Sequence, residues 1–206
     1  MSASLREQLG ARADLDFAID LPPGWARHAA DAATRESMQR DLRARLMQAQ
    51  RPDLYAQSKA MLADAFLAME QHRAIAFFAP SEPADDMLMA PGSMIASIRT
   101  GEGGATLDAA VGQAIREHGA APLLGDPRIV RFERERTQEL QGQRMTTTSV
   151  VYLIPMPGTR RRRAVQLTAT FARPADVPGD DIGAVRLRAL FDACVATFRW
   201  LAPSAA

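Results

Sequence analysis

The hydrophobic pattern of the chain is most regular in two runs, residues 145–155 and 164–172, separated by a Pro-Gly turn and four arginines. In the first run, both sets of alternating positions are apolar, as in a strand with both faces covered; these residues are Val150, Val151, Tyr152, Leu153 and Ile154. In the second run, every other residue is apolar: Val165, Leu167, Ala169 and Phe171. The two runs predict a β-hairpin at the centre of a sheet.

Four segments carry apolar residues at helical spacing, and they cover residues 31–50, about 52–71, 106–118 and 182–200. The first two predict an α-hairpin, because Pro52 interrupts the pattern between them. The last has the clearest apolar stripe, formed by Leu187, Leu190, Phe191, Cys194, Val195 and Phe198. We expect this helix to lie across the sheet.

Further strands are predicted within residues 12–19, 74–79, 87–100 and 128–137. After the first of them, the sequence Leu-Pro-Pro-Gly-Trp stops the strand, so we expect Trp25 to fold back over the sheet edge. The element order predicts one α+β domain over residues 1–206, with a largely antiparallel sheet of about six strands covered by helices. Residues 31–71 form an inserted α-hairpin in this prediction.

Composition excludes several classes of protein. Hydrophobic residues make up 47% and charged residues 24%, which is typical of a folded globular chain. The formal net charge is +1, so no overall field favours nucleic acid. Neither an apolar signal-peptide core nor an uncharged run long enough to span a membrane is present, and we expect a cytoplasmic protein without membrane insertion. Cys194 is the single cysteine, which excludes an internal disulfide.

The one run of like charge is Arg160, Arg161, Arg162 and Arg163, at the predicted hairpin tip. Several guanidinium groups close together could bind an acidic protein surface, a phosphate or a lipid headgroup, so these residues are a candidate site for a partner or an anion. The alternative is a solvated turn that discourages aggregation of the sheet edge. Aromatic residues do not alternate with the arginines, which argues against nucleic-acid stacking.

Ten methionines include Met87, Met89 and Met94 around one predicted strand. Because methionine side chains adapt to irregular apolar shapes, these three are candidates to line a cleft between the α-hairpin and the sheet. Filling of the core is the alternative use.

No residue pattern predicts a catalytic or cofactor site. His28, His72 and His118 lie in different segments without the helical spacing of a metal site. The glycines of residues 101–104 are not followed by lysine and lack dinucleotide spacing, so nucleotide binding is not expected. We therefore expect no metal, no cofactor and no catalytic residues.

Three short segments carry a resemblance to a known group. Residues 21–25 (LPPGW), 151–157 (VYLIPMP) and 191–200 (FDACVATFRW) resemble those of a group of uncharacterised actinobacterial proteins, some encoded beside type VII secretion components. The element order is also similar to the PsbP-like α/β/α sandwich. That resemblance implies a binding role, since such scaffolds usually bind partners and carry no shared catalytic residues.

The leading hypothesis from sequence is a non-enzymatic cytoplasmic accessory protein that binds another protein, with a link to type VII secretion. It would present the sheet edge, the α-hairpin or the arginine turn to that partner. The alternative is a carrier of a small ligand or lipid in an apolar, methionine-lined cleft. An enzyme is the third possibility, and it would require a pocket with a cluster of titratable groups.

Overall fold

The structure of the protein is a computed structural model, in which residues 15–81, 92–140 and 142–201 are described. Within these ranges it contains nine strands and four α-helices. The strands are β1 (Phe17–Ala18), β2 (Trp25–His28), β3 (Ala74–Pro80), β4 (Gly92–Thr100), β5 (Ala121–Leu123), β6 (Asp126–Leu140), β7 (Gln143–Pro155), β8 (Arg163–Pro174) and β9 (Arg199–Trp200). The helices are α1 (Ala32–Gln48), α2 (Asp53–Gln71), α3 (Asp108–His118) and α4 (Ile182–Ala196).

Seven strands form one antiparallel sheet in the order β2-β3-β4-β8-β7-β6-β5. The predicted central hairpin is confirmed as β7 and β8, with Val150 opposite Ala169 and Tyr152 opposite Leu167. The α+β class and the antiparallel sheet are confirmed as well, with seven strands where about six were expected. Alternating apolar residues explain this central position, because β7 and β8 carry side chains that need cover.

One face of the sheet holds the larger core. Val150, Tyr152, Leu167 and Phe171 pack there against α4 and against the small sheet of β1 and β9. The helix contributes Phe191 and Val195, which are 1% and 0% exposed. The predicted position of the C-terminal helix across the sheet is thus confirmed.

The opposite face carries two separate helical layers. The α-hairpin of α1 and α2 packs over β3 through Phe66, Met69 and Phe77. The helix α3 packs over β6 and β7 through Ala114, which contacts Phe132 and Val151. Between these two layers lie β4 and β8, whose side chains on this face are polar or half-buried.

Two expectations about the ends of elements differ from the structure. Trp25 does not fold back as a plug but begins β2, which pairs with β3 at the sheet edge, while its ring meets Phe191 edge-on at 6.0 Å. The helix α4 ends at Ala196, not at residue 200, because Thr197 and Phe198 donate to carbonyls only three residues back. This tighter, 3₁₀-type turn ends the helix, and the chain continues as β9, which pairs with β1.

The strand β6 is longer than its outer neighbour. Its pairing with β5 stops at Arg131, and in the described part of the chain residues 132–140 pair with β7 alone. Glu133 and Glu135 lie on the face of α4, while Arg134 and Arg136 lie on the opposite face. The outer side of this stretch is therefore an open, charged sheet edge.

Within the described ranges, no helix combines the length and the apolar character needed to cross a membrane.

The central strand provides a test of this architecture. Leu167 is 0% exposed, whereas Leu67 on α2 is 54% exposed. We expect Leu167→Ala to lower the free energy of unfolding by about 2–5 kcal/mol, because it leaves a cavity between β7, β4 and α4. Leu67→Ala is the matched control and should change it by less than about 0.5 kcal/mol. Urea denaturation measures both; equal losses would contradict the core assignment.

Candidate functional site

A groove crosses the sheet between α2 and α3. Its floor is made by half-buried or exposed side chains of β4 and β8, namely Ser97, Arg99, Gln166 and Thr168. These residues share a face because they occupy alternate positions of two paired strands, with Ser97 opposite Gln166. Only the spacing between the two helical layers leaves this part of the sheet open. We call this feature the polar groove.

The polar groove consists of two depressions that meet. The first, of about 280 Å³, lies against α2 and is lined there by Ala68, Met69 and His72. The second, of about 260 Å³, lies against α3 and is lined there by Gln113, Glu117 and His118, among others. Arg99 and Gln166 line both depressions, so they mark the junction.

Arg99 is the exposed cation of this junction. Its guanidinium forms no ion pair or hydrogen bond with another residue in the described ranges. Its neighbour Gln166 donates a hydrogen bond from Nε2 to Oγ1 of Thr168 at 3.2 Å. The charged side chains that line the two depressions are Arg99, Arg134 and Glu117, so positive charge is in excess.

The α3 side of the polar groove is already structured by its own contacts. The ring of His118 stacks on Phe132 with centroids 5.6 Å apart, and the guanidinium of Arg134 lies 5.1 Å from the same ring. Glu117 accepts a hydrogen bond from Gln113 at 3.0 Å and lies 3.9 Å from His118 Nε2. The carboxylate of Glu117 thus has an imidazole and an amide as neighbours.

The four arginines of the sequence prediction lie in the turn between β7 and β8, apart from the groove floor. Arg160, Arg161 and Arg162 are exposed, and Arg163 begins β8. Arg161 pairs with Asp108 at 3.1 Å, and its carbonyl accepts from the Leu107 amide at 2.9 Å. The turn is therefore fixed against the start of α3, while its guanidinium groups face solvent.

The methionine candidates do not come together in the groove. Met94 is 1% exposed and belongs to the core under α4, on the other face of the sheet. Met87 and Met89 lie outside the described residues. The methionine that does line the groove is Met69 of α2.

The histidines divide between two places. His28 stacks on Phe77 at 5.0 Å, on the edge strand, while His72 and His118 flank the polar groove from opposite walls. Within the described ranges, none of the three is hydrogen-bonded to a hydroxyl, and no group of acidic, histidine and cysteine side chains is placed to hold a metal ion. Burial raises the pKa of the Cys194 thiol, as in a core residue.

The opposite face carries a cluster of three arginines and three carboxylates under α4. We call it the arginine–carboxylate cluster, and its members are Arg131, Glu133, Glu135, Arg173, Arg188 and Asp192. Arg188 of α4 donates to Glu133 at 2.9 Å and to the Gly179 carbonyl at 2.6 Å. Arg131 donates to Asp192 at 2.8 Å and to Glu133 at 2.5 Å. The cluster thereby attaches α4 to β6.

Two further side chains complete the cluster from the sheet. The buried hydroxyl of Tyr152 donates to Asp192 at 2.7 Å, and Thr148 donates to Glu135 at 2.9 Å. Arg173 reaches Glu135 at 3.2 Å, and its Nη1 is buried with no hydrogen-bond partner in the described part of the chain. Burial raises the pKa of Tyr152, and its hydrogen bond to Asp192 raises it further, so this phenol stays protonated as a donor.

The sequence suggested a cleft between the α-hairpin and the sheet but not the residues that line the polar groove, and it did not reveal the arginine–carboxylate cluster. The cluster joins residues 61, 55 and 40 positions apart along the chain, and no local spacing reports such pairs. The sequence did contain one signal: charged residues occupy both faces of β6 beside a strand that needs cover.

No family model matches the chain, and no curated protein matches it. The solved structures that are similar to this chain include the following three. One from Bacteroides thetaiotaomicron VPI-5482 is 8% identical with a TM-score of 0.42, covering 92% of this chain and 46% of that one, so this chain spans less than half its length. LpqN, involved in cell envelope biogenesis of Mycobacterium tuberculosis, is 11% identical with a TM-score of 0.44, covering 94% and 87%. The third is the cyanobacterial PsbP (CyanoP) of Synechocystis sp. PCC 6803.

CyanoP is 10% identical with a TM-score of 0.33, covering 92% of this chain and 94% of that one. The neighbours thus include a PsbP, the family whose sandwich the sequence resembles. At such identities, and with TM-scores below 0.5, the likeness carries no inference about ligand, partner or activity.

The two tyrosines of the chain test the arginine–carboxylate cluster. Tyr152→Phe removes the buried hydrogen bond to Asp192 and should lower the free energy of unfolding by about 1–3 kcal/mol. Tyr55→Phe is the matched control, because Tyr55 makes no hydrogen bond through its hydroxyl to a described residue. Urea denaturation at neutral pH measures both. Equal stability of Tyr152→Phe and the native protein would contradict the assignment.

The cluster also predicts a dependence of stability on pH. Burial alone would raise the pKa of Glu133, but its hydrogen bonds and charge interactions with Arg131 and Arg188 outweigh burial and lower it below 4.5. The stabilisation from Glu133 is therefore complete above its unfolded pKa and is lost as the pH falls through its folded pKa. We expect Glu133→Gln to reduce the loss of stability in this acidic range.

Free energies of unfolding between neutral pH and the acidic range give the comparison. Glu133→Gln should be less stable than the native protein at neutral pH, and the two should converge in acid. Glu139→Gln, on the same strand but exposed, is the control and should follow the native curve. Parallel curves for Glu133→Gln and the native protein would show that Glu133 is not the group involved.

Proposed function

We propose that the chain is a non-enzymatic binding protein and that the polar groove is its binding site. The observation that carries this proposal is an uncovered strip of β4 and β8 between two helical walls, with Arg99 at its centre lacking a counter-ion among the described residues. In a compact domain, polar strand residues facing a groove are available for hydrogen bonds to a bound molecule. The joined depressions are of a size suited to a small molecule.

The distribution of charged groups supports binding without catalysis. The carboxylates and arginines beneath α4 form ion pairs with one another. These pairs attach α4 to the sheet, so a structural role explains the presence of these charged side chains. In the polar groove, neither His72 nor His118 is hydrogen-bonded to a hydroxyl of a described residue that could act as a nucleophile. The groove therefore offers recognition chemistry: two guanidinium groups, one carboxylate, amides, hydroxyls and apolar side chains.

A second candidate is an accessory protein that binds another protein in the cytoplasm, including one linked to type VII secretion. The observation that favours it is the open edge of β6, where a strand of a partner could add to residues 132–140. The exposed guanidinium groups of Arg160, Arg161 and Arg162 could contribute attraction to an acidic partner surface.

Native mass spectrometry of the full chain, purified without denaturation from its own host, tests the proposed function. We expect a bound species of a few hundred daltons that survives purification. Gln166→Trp should remove it, because an indole at this position fills the junction of the two depressions.

The matched control is Thr147→Trp, a half-buried β7 position on the same face but outside the groove lining. It should retain the bound species. Retention in Gln166→Trp would place binding elsewhere, and a stoichiometric protein in its place would favour the second candidate. A protein that carries nothing, and whose melting temperature no probe ligand raises, would contradict the binding role.

A further inference from the structure

We propose that Arg99 binds the carboxylate of an amphiphilic monocarboxylic acid, with the apolar part of the acid against Met69 and Ile95. This inference rests on the proposed function and gives the class of ligand for the same groove. Three observations support it: the guanidinium of Arg99 at the junction, the charged side chains that line each depression, and the difference in polarity between the two depressions.

The charge at the junction calls for an anion. The guanidinium of Arg99 is without a carboxylate partner in the described ranges. The depression against α2 contains no acidic side chain in its lining, and Arg99 is its one arginine. A single guanidinium offers two parallel N–H donors, which match the two oxygens of a carboxylate.

The α3 wall decides the direction in which the acid lies. Glu117 lines the depression on that side and would repel a second negative charge. Arg134 lines the same depression, and its positive charge offsets the negative charge of Glu117, so these two side chains offer no net attraction for a second anionic group. Gln113 and His118 make the rest of this side polar, and the apolar part of an acid held at Arg99 is therefore best extended away from α3.

The α2 wall can receive an apolar chain. Ala68 and Met69 of α2 and Ile95 of β4 present apolar side chains to this depression. Met69 is 6% exposed and is held against Phe66 and Phe77, so the wall is a continuation of packed core. A short aliphatic chain would cover the exposed Ala68 and the half-buried Ile95 from water, which adds a hydrophobic contribution to the charge interaction.

Titration of the ¹⁵N-labelled full chain at low salt tests the proposal, with chemical-shift changes giving the dissociation constant. The probes are octanoate, 1-octanol, acetate and inorganic phosphate. Octanoate should bind more tightly than acetate, which lacks the chain, and more tightly than octanol, which lacks the charge. Its largest shifts should fall on β4, β8 and the end of α2.

Two variants isolate the guanidinium. Arg99→Gln should weaken octanoate binding by about fivefold to tenfold while leaving octanol binding unchanged, because the site is partly exposed to water. Arg116→Gln is the matched control: Arg116 is an exposed arginine of α3 that does not line the groove. It should leave both dissociation constants unchanged.

The outcomes separate this inference from the proposed function. Equal octanoate affinity in Arg99→Gln and the native protein overturns the role of Arg99, while binding in the groove still stands. Phosphate binding through Arg99 without octanoate binding overturns the carboxylate class. If none of the four probes binds, the inference is wrong; a bound species in native mass spectrometry would then preserve the proposed function, and its absence would remove both.

Discussion

The structure depends on the pairing of β8 along both of its sides, with β4 on one side and β7 on the other. This pairing satisfies the backbone of the central strands and leaves apolar side chains on both faces, at Tyr152 and Leu167 towards α4 and at Val151 and Leu153 on the other side. Each face then needs its own cover. The first face is covered by α4 together with the small sheet of β1 and β9, whereas the second is covered by helices at its two ends.

The two faces of the sheet accommodate charged side chains in different ways. Under α4, arginines and carboxylates meet in the low-dielectric layer between helix and sheet, where an isolated charge would be costly and a paired one is tolerated. On the groove side, Arg99 and Arg134 remain accessible to water and keep their charges without full pairing. The mutually paired charges and the water-accessible arginines of the groove are thereby separated by one layer of β-sheet.

Local sequence patterns predicted much of the fold but little of the candidate functional site. Alternation around Val150 and Val165 was enough to place the hairpin, and the stripe through Phe191 was enough to place α4, because both patterns report burial directly. The three-residue β5 was too short for a pattern, and a proline lies within it. The groove depends on the distance between α2 and α3, which arises from tertiary packing and leaves no periodic signal around Arg99.

The open edge of β6 has a consequence for association between copies of the chain. From residue 132 onward, the charged residues of one face are Glu133, Glu135 and Glu139, and those of the other are Arg134 and Arg136. An antiparallel strand from a second copy would continue the sheet with the same faces, so acid would oppose acid and arginine would oppose arginine. Repulsion between like charges thus disfavours pairing of this edge with the same edge of a second copy, whereas a strand with the opposite charges on each face could still pair with it.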